Sequence, residues 1–324
     1  MELTQVALIK EAQKWGIEVD LLDDCETNYI LLSQGDKEVL FSESGTPFHG
    51  LSYQTLYTVD NKQLCKRLFH KLNISTPNGI VFDNLDAQMA TINAFMQKGE
   101  LYVCKPLDGT EGKGVCMNIT TVDDLRLAWD EWKHAYKSFM LEEQKEGGDL
   151  RIQVIGGKLV AACVREPAYV LGDGVTPLSI LVERQHQKVQ QQNPANKLKL
   201  DRASYELLEK QQLSLTSVPQ QGQKIQLKYV ANMNQGAVSI DITDQIHPAY
   251  QTWVERLAKA LPLSIFGLDV LTTDYKKAPT ADTAWALEIN GQPYWYHHTF
   301  SERRTHNIAK LILEDVFDLD TSDA

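Results

Sequence analysis

The stretch from Val103 to Val115, VCKPLDGTEGKGV, joins a strand-like run ending in Lys105 and Pro106 to a loop carrying Gly109, Gly112 and Gly114. Glycine lets backbone N–H groups come close to phosphate oxygens, and a lysine at a strand end adds a point charge, so this loop suits a nucleotide triphosphate. It is no P-loop, since G-x-x-x-x-G-K-[ST] is absent, and it lacks the context of a dinucleotide fingerprint. A second group lies nearer the C-terminal end. Glu288 and Asn290 stand two apart in ALEIN and share a strand face, and Asp269 in GLDVL sits on a strand able to pair alongside. Two carboxylates and an amide oxygen are hard ligands suited to magnesium, which keeps waters and bridges substrate phosphates. A third group, FMLEEQKEGGDLRIQVI, sets Glu142 and Asp149 around a polar turn ahead of Arg151. One acid there could take the amino group of adenine and another the hydroxyls of ribose. Taken singly, each group also has an ordinary reading: a connecting turn, a hydrated strand edge, a solvated charged face.

These groups need elements to hold them. A helix-period stretch (Val6, Leu8, Ile9, Ala12, Trp15) followed by extended runs IEVDLLDD, NYILLSQG and KEVLFSES predicts a small α/β lobe. From Asp60, DNKQLCKRLFHKL predicts a helix with Leu64, Leu68 and Leu72 on one face, ended by Asn73 to Gly79. A strand at Ile80 to Phe82, a helix from Asp86 to Lys98, the strand LYVCKP, the helix TVDDLRLAWDEWKHAY and the strand SFMLEEQ follow. In RIQVIGGKLVAACVREPAYV the central GG predicts a hairpin. The polar stretch Gln185 to Lys199 has almost nothing apolar to bury and reads as a mobile loop. Beyond it order resumes with SYELLEKQQL, followed by strands near IQLKY and AVSIDIT, the helix YQTWVERLAKAL, and the strands GLDVLTT and AWALEIN.

Bulk properties narrow the function classes. At 324 residues the chain should form two or three lobes. Its longest apolar runs fall well short of the roughly 20 residues of a membrane span. The opening MELTQVALIKEAQKWG reads as a structural helix and not as a signal peptide, which points to a cytoplasmic protein with no membrane partner. Cys25, Cys65, Cys104, Cys116 and Cys163 are odd in number and form no C-x-x-C pair, so they read as reduced buried thiols. A net charge of -11 without a basic run argues against a nucleic-acid partner.

Their order along the chain separates the readings. Lys62, Lys105 with its glycine loop, Glu142 to Arg151, and then Asp269, Glu288 and Asn290 resemble the succession found in ATP-grasp ligases. DNKQLCK is similar to the D-K-x-x-x-K helix of D-alanine:D-alanine ligase. The resemblance implies an α+β ATP-grasp fold. A small N-terminal α/β lobe (1–58) would precede a central lobe with a glycine-rich lid (59–138) and a C-terminal lobe with a metal site (139–317). It implies that Lys62 and Lys105 bind phosphate and that Gly109, Thr110, Gly112 and Gly114 belong to the lid. Glu142 and Asp149 would meet adenine and ribose. Asp269, Glu288 and Asn290 would hold two magnesium ions, or manganese.

REPAYVLGDGVTPLSILVE and SIDITDQIHP further resemble cyanophycin synthetases and the ATP-grasp half of bifunctional glutathione synthetases, and the opening LTQVALIKEAQKWGIEVDLLDDCETNYILLSQGDK resembles the latter. This implies amide-bond formation through an acyl phosphate, with amino-acid or peptide substrates, and a homodimer. Arg151 would stabilise the tetrahedral centre, Arg165 would orient a substrate carboxylate, and Asn232 and Gly236 would line the acceptor loop. γ-Glutamylcysteine and glycine lead among the substrates. Another amino-acid or dipeptide ligation and a non-catalytic ATP-binding protein are the alternatives. Lacking the companion module of either relative, the chain is expected not to perform their second half-reaction. Two departures bear on substrate choice. NMNQGAV carries Ala237 where the relatives have a second glycine, and GQPYWYHHTF replaces a short turn with Tyr294, Trp295, Tyr296, His297 and His298. The paired histidines read as a poor metal site, because adjacent strand residues point to opposite faces; the run reads either as a wall that selects the acceptor or as a packed C-terminal edge with the histidine pair in solvent.

Overall fold

In the computed structural model, residues 1–22, 29–42, 44–48, 52–109, 113–194 and 196–319 are described. The chain opens with α1 (Leu3–Lys14), started by a capping box between Glu2 and Gln5. β1 (Glu18–Leu22), β2 (Tyr29–Gln34) and β3 (Lys37–Phe41) form an antiparallel sheet in that order. Its alternating Ile30, Leu32, Val39 and Phe41 face Leu8 and Ala12 of the helix. α2 (Tyr53–Asp60) and α3 (Lys62–Lys71) meet at Asn61, whose side chain accepts from the N–H groups of Gln63 and Leu64 and caps α3. The inward face of α3 is rotated from the expected leucine row: Cys65 and Phe69 are fully buried, while Leu68 and Leu72 are half-buried.

A second antiparallel sheet contains β4 (Gly79–Phe82), β5 (Tyr102–Pro106), β6 (Cys116–Ile119) and β7 (Phe139–Glu143) in the order β4-β7-β5-β6, with α4 (Met89–Phe95) and α5 (Val122–Trp132) between strands. α4 is shorter than expected. The Tyr102 hydroxyl donates to the Phe95 carbonyl and accepts from the Gln97 N–H, which takes over the helix end. The expected lobe boundaries also shift. β7 lies inside this sheet between β4 and β5, so the boundary at 138 falls one strand early. α3 belongs to the other core, with Cys65 and Phe69 packed against the sheet described next, so the boundary at 59 also falls early.

β8 (Gly148–Ile155) and β9 (Lys158–Glu166) form the expected hairpin, turned at Gly156 and Gly157 with φ of 57° and 72°, the left-handed pair that a type I′ turn requires. β10 (Tyr169–Leu171), α6 (Leu178–Gln192), α7 (Arg202–Lys210) and β11 (Lys224–Gln226) then build a small lobe around Val170, Leu178, Leu208 and Ile225. Here the sequence expectation fails: residues 185–192 are helical, not a mobile loop. Val189 continues the buried row of Leu178 and Leu181, and the glutamines between them are unbranched residues that lose little freedom in a helix.

β12 (Val238–Asp241), α8 (Ala249–Ala260), β13 (Ile265–Thr272), β14 (Ala284–Asn290) and α9 (Ile308–Phe317) complete the chain. The third large sheet runs β12-β9-β8-β13-β14, antiparallel throughout. Its two faces differ in kind. Leu150, Ile152, Val154, Leu268 and Val270 turn toward α3 and α8, where Phe69, Tyr250 and Leu257 pack on them. The alternate positions Arg151, Gln153, Cys163, Ser239 and Asp269 are buried on the opposite face. At one end of that face Ile155, Ala161 and Ile265 join Leu8, Phe41, Trp295 and Ile312 in a single core, so the first sheet, α1 and α9 close over it together. No helix among the described residues is long and apolar enough to cross a membrane.

Candidate active site

Cross-strand register assembles the polar face. Asp149 pairs with Arg165, Arg151 with Asp269, Asp269 with Glu288, and Gly267 with Asn290. Arg151 Nη1 donates to both oxygens of Asp269, at 2.9 and 3.1 Å. Arg165 Nη2 donates to Asp269 Oδ1 at 3.0 Å and to Asp149 Oδ1 at 2.6 Å, and Asn290 Nδ2 donates to Asp269 Oδ2 at 3.0 Å. Gly267 makes room for this: a Cβ there would stand 2.5 Å from the guanidinium carbon of Arg151. Burial alone would raise the Asp269 carboxyl, but the two guanidiniums outweigh it and hold it at about 2. Glu288 is pushed the other way, by burial and by the charge of Asp269, against the pull of Lys62 and Lys105. Burial likewise raises Asp149 despite Arg165.

The facing wall is cationic. Lys62 Nζ donates to the Gly109 carbonyl at 2.7 Å and stands 3.9 Å from Glu288 Oε2. Lys105 donates to Glu142, and Lys66 Nζ lies 2.7 Å from the other oxygen of that carboxylate. Lys66 also donates to Thr76 and to the Pro77 carbonyl. Burial would raise Glu142, but Lys105 and Lys66 keep it below its ordinary range. Lys66 is a further residue of this wall, and the signal for it in the sequence is its spacing of four from Lys62, which puts both on one helical face.

Neither acid expected at adenine and ribose stands free. Glu142 is only 4% exposed, and a carboxylate so buried takes cations as partners, here two lysines. Asp149 is bound to Arg165 on the sheet. In the glycine loop, Gly114 has φ of 75° and a Cβ there would lie 2.7 Å from Pro106, which ties the loop to the strand end. Thr110 and Gly112 fall outside the described residues.

A cavity of about 1220 Å³ opens on the polar face, lined by Asp149, Arg151, Arg165, Asp269, Glu288 and Asn290 together with Asn232, Tyr294 and His297. Asn232 caps a short 3-10 turn, Met233–Gln235, that ends at Gly236 with φ of 90°. The aromatic run is packed, not a surface edge. Trp295 is fully buried, and the Tyr294 hydroxyl accepts from Asn193. His297 and His298 correct the sequence reading. They occupy a 3-10 turn (Tyr296–Thr299) and not a strand, both are buried, and their ring centroids lie 4.2 Å apart.

The donor set suits a hard divalent cation. Glu288 and Asn290 share a face, Asn290 keeps its carbonyl oxygen while its amide donates to Asp269, and the strain between the two carboxylates is what a cation would relieve. Of the cysteines, Cys65, Cys104 and Cys163 are free and buried and Cys116 is free and half-buried; Cys25 lies outside the described residues.

No family model matches the chain. The cyanophycin synthetase of Trichormus variabilis is 30% identical over 316 residues, covering 96% of this chain and 34% of that protein. The bifunctional glutathione biosynthesis protein of Clostridium perfringens is 31% identical over 306 residues, covering 93% of this chain and 39% of the relative. The chain thus spans between a third and two fifths of the length of these curated relatives. The crystal structure of a bifunctional glutathione synthetase from Pasteurella multocida superposes with a TM-score of 0.75 at 24% identity, covering 98% of this chain and 44% of that one, a likeness of fold.

Proposed function

We propose that this chain, which has the ATP-grasp fold, is an ATP-dependent carboxylate–amine ligase that makes an amide bond through an acyl phosphate. The observation that carries this reading is the position of Lys62, which bonds the glycine loop at Gly109 and reaches within 3.9 Å of Glu288. A triphosphate laid along that seam meets lysines on one side and oxygen donors on the other. Lys62 and Lys105 hold the phosphates. Glu142 and Lys66 fix Lys105 in place. Magnesium or manganese held by Asp269, Glu288 and Asn290 supplies charge neutralisation at the phosphate oxygens when bound.

Arg165 orients the substrate carboxylate by a two-pronged contact, and Arg151 stabilises the oxygens of the tetrahedral centre that the amine forms. Asp269 keeps both guanidiniums aimed, and the glycine loop excludes water from the acyl phosphate. Asn232 and the Gly236 turn line the acceptor side. The lobes around the four-stranded and five-stranded sheets act as the two halves of the clamp.

For the substrates, similarity to the bifunctional glutathione protein favours γ-glutamylcysteine and glycine. Ala237 and the packed Tyr294–His298 run favour a second reading, another amino-acid or dipeptide ligation. The test is a panel of carboxylate and amine pairs with ATP and magnesium, read by phosphate release and by product mass. Phosphate should appear only with a matched pair, with a product equal to their sum less water. ATP binding without pair-dependent phosphate release would leave a nucleotide-binding protein and no ligase.

A further inference from the structure

Beside Arg151, whose cross-strand partner is Cys163, the polar sheet face carries a cluster that the proposed ligation does not use. Among the described residues, Cys163 Sγ and one nitrogen each of His297 and His298 lie within 4.8 Å of one another, all three residues buried. His297 Nε2 and both ring nitrogens of His298 have no hydrogen-bond partner among the described residues. Buried polar atoms left unpaired are costly and rare, and three in one spot call for an occupant that accepts lone pairs.

We infer that Cys163, His297 and His298 form a binding site for one zinc-class divalent cation, separate from the magnesium position. The donors decide the class. One thiolate and two imidazoles suit zinc or cobalt, whereas magnesium and calcium take oxygen. Tetrahedral zinc with bonds of about 2.0–2.3 Å sets its ligand atoms roughly 3.3–3.8 Å apart, so small side-chain rotations close the site.

The surroundings are those of oriented ligands. The His297 ring bonds the Tyr294 backbone, and since its Nε2 is unpartnered this bond is made through Nδ1 and leaves the Nε2 lone pair pointing at the cluster. The Cys163 thiol and the Ser239 hydroxyl are hydrogen-bond partners, Ser239 Oγ meets Ser301 Oγ at 2.6 Å, and Ser301 Oγ donates to the His297 carbonyl. Burial and the nearby arginines keep both imidazoles neutral, the form that ligates. Binding replaces the Cys163 thiol proton with the metal and releases that proton to solvent; the histidines release none. His297 also lines the large cavity, so the fourth coordination position falls to solvent or a substrate atom on that side.

Cobalt added to chelator-treated full-length protein tests this without any ligase assay. The expected result is a thiolate-to-cobalt charge-transfer band with tetrahedral visible bands. They should saturate at one cobalt per chain, release one proton each and disappear on adding zinc. Cys163→Ser should abolish the charge-transfer band, and His298→Gln should weaken cobalt binding by more than about tenfold. Glu288→Gln should leave the spectrum unchanged. Absence of the band in the parent protein, its survival in Cys163→Ser, or unaltered affinity in His298→Gln would each overturn the site. Should Cys163→Ser fail to fold, the His298→Gln titration and the proton count decide. A spectrum lost only in Glu288→Gln would put the cobalt on the magnesium position and also overturn it.

Discussion

Asp269 and Glu288 face each other across one strand pair, yet they are held in opposite states. Asp269 is surrounded by Arg151, Arg165 and Asn290, which keep it ionised down to about 2. Its contribution to stability is therefore present above the unfolded value of 3.8 and fades as pH falls from there toward 2. Glu288, raised above 4.5 by burial and by Asp269, works with the opposite sign: it favours the fold most when protonated, and that advantage is lost as pH rises through its folded value. Glu288→Gln should thus stop phosphate release, by at least about a hundredfold, while raising the melting temperature of the metal-free protein at pH 7. A calorimetric scan showing a lower melting temperature would contradict the electrostatic account, and retained turnover the metal assignment. Glu142 belongs with Asp269: its depressed value makes its share of stability vanish as pH falls below 4.5. Glu142→Gln leaves Lys66 and Lys105 without their partner and should cost about 3–5 kcal/mol at pH 7, measured by urea unfolding. A loss within error would mean that the lysines find other acceptors.

At the scale of elements, Gly267 is a close-packed position of the five-stranded sheet. A methyl group there meets the far end of Arg151 and not backbone, so Gly267→Ala should fold. It should still push the guanidinium off Asp269 and lower kcat by roughly a hundredfold with little change in ATP affinity; unchanged kcat would remove Arg151 from the chemistry. The strands bearing these residues were legible because period-two alternation, the GG turn and E-x-N on a strand are local signals. So was the pairing of Asp269 with Glu288, since the two strands are separated by one polar turn. What stayed hidden depends on tertiary partners. The end of α4 is set by a tyrosine hydroxyl, and the helical path of residues 185–192 is read only once Val189 is seen to bury. Glu142 looked like part of a solvated charge run because both of its lysines come from other elements. The histidine pair was misjudged because strand geometry was assumed for residues that coil into a 3-10 turn.

Across the whole molecule, the core of the four-stranded sheet, with Phe82, Tyr102 and Leu141, shares no member among the described residues with the core of the five-stranded sheet. Among the described residues, α3, which packs in the five-stranded core, reaches the other body through its lysines: Lys62 donates to the Gly109 carbonyl, and Lys66 meets Glu142 and the Pro77 carbonyl. Two bodies joined this way can move as units about the segment near Ser75, and nucleotide is the natural brace between them. Lys62→Met should weaken ATP binding by about 1.5–3 kcal/mol, roughly ten- to a hundredfold, as read by isothermal titration calorimetry. Unaltered affinity would mean the triphosphate lies elsewhere.

The packing of α1 against α9 has a consequence for how the chain is made. Leu8 and Ala12 rest on Ile308, Ile312 and Leu313, and Asn307 bonds Glu11 across nearly the full length of the sequence. On the ribosome, α1 and the first three strands would emerge together, but the part of their shared core that meets α9 would stay uncovered until α9 is translated. Closure of that region is then a long-range event, slow for its size, and the nascent polypeptide is exposed to sticking and to chaperone capture until α9 emerges.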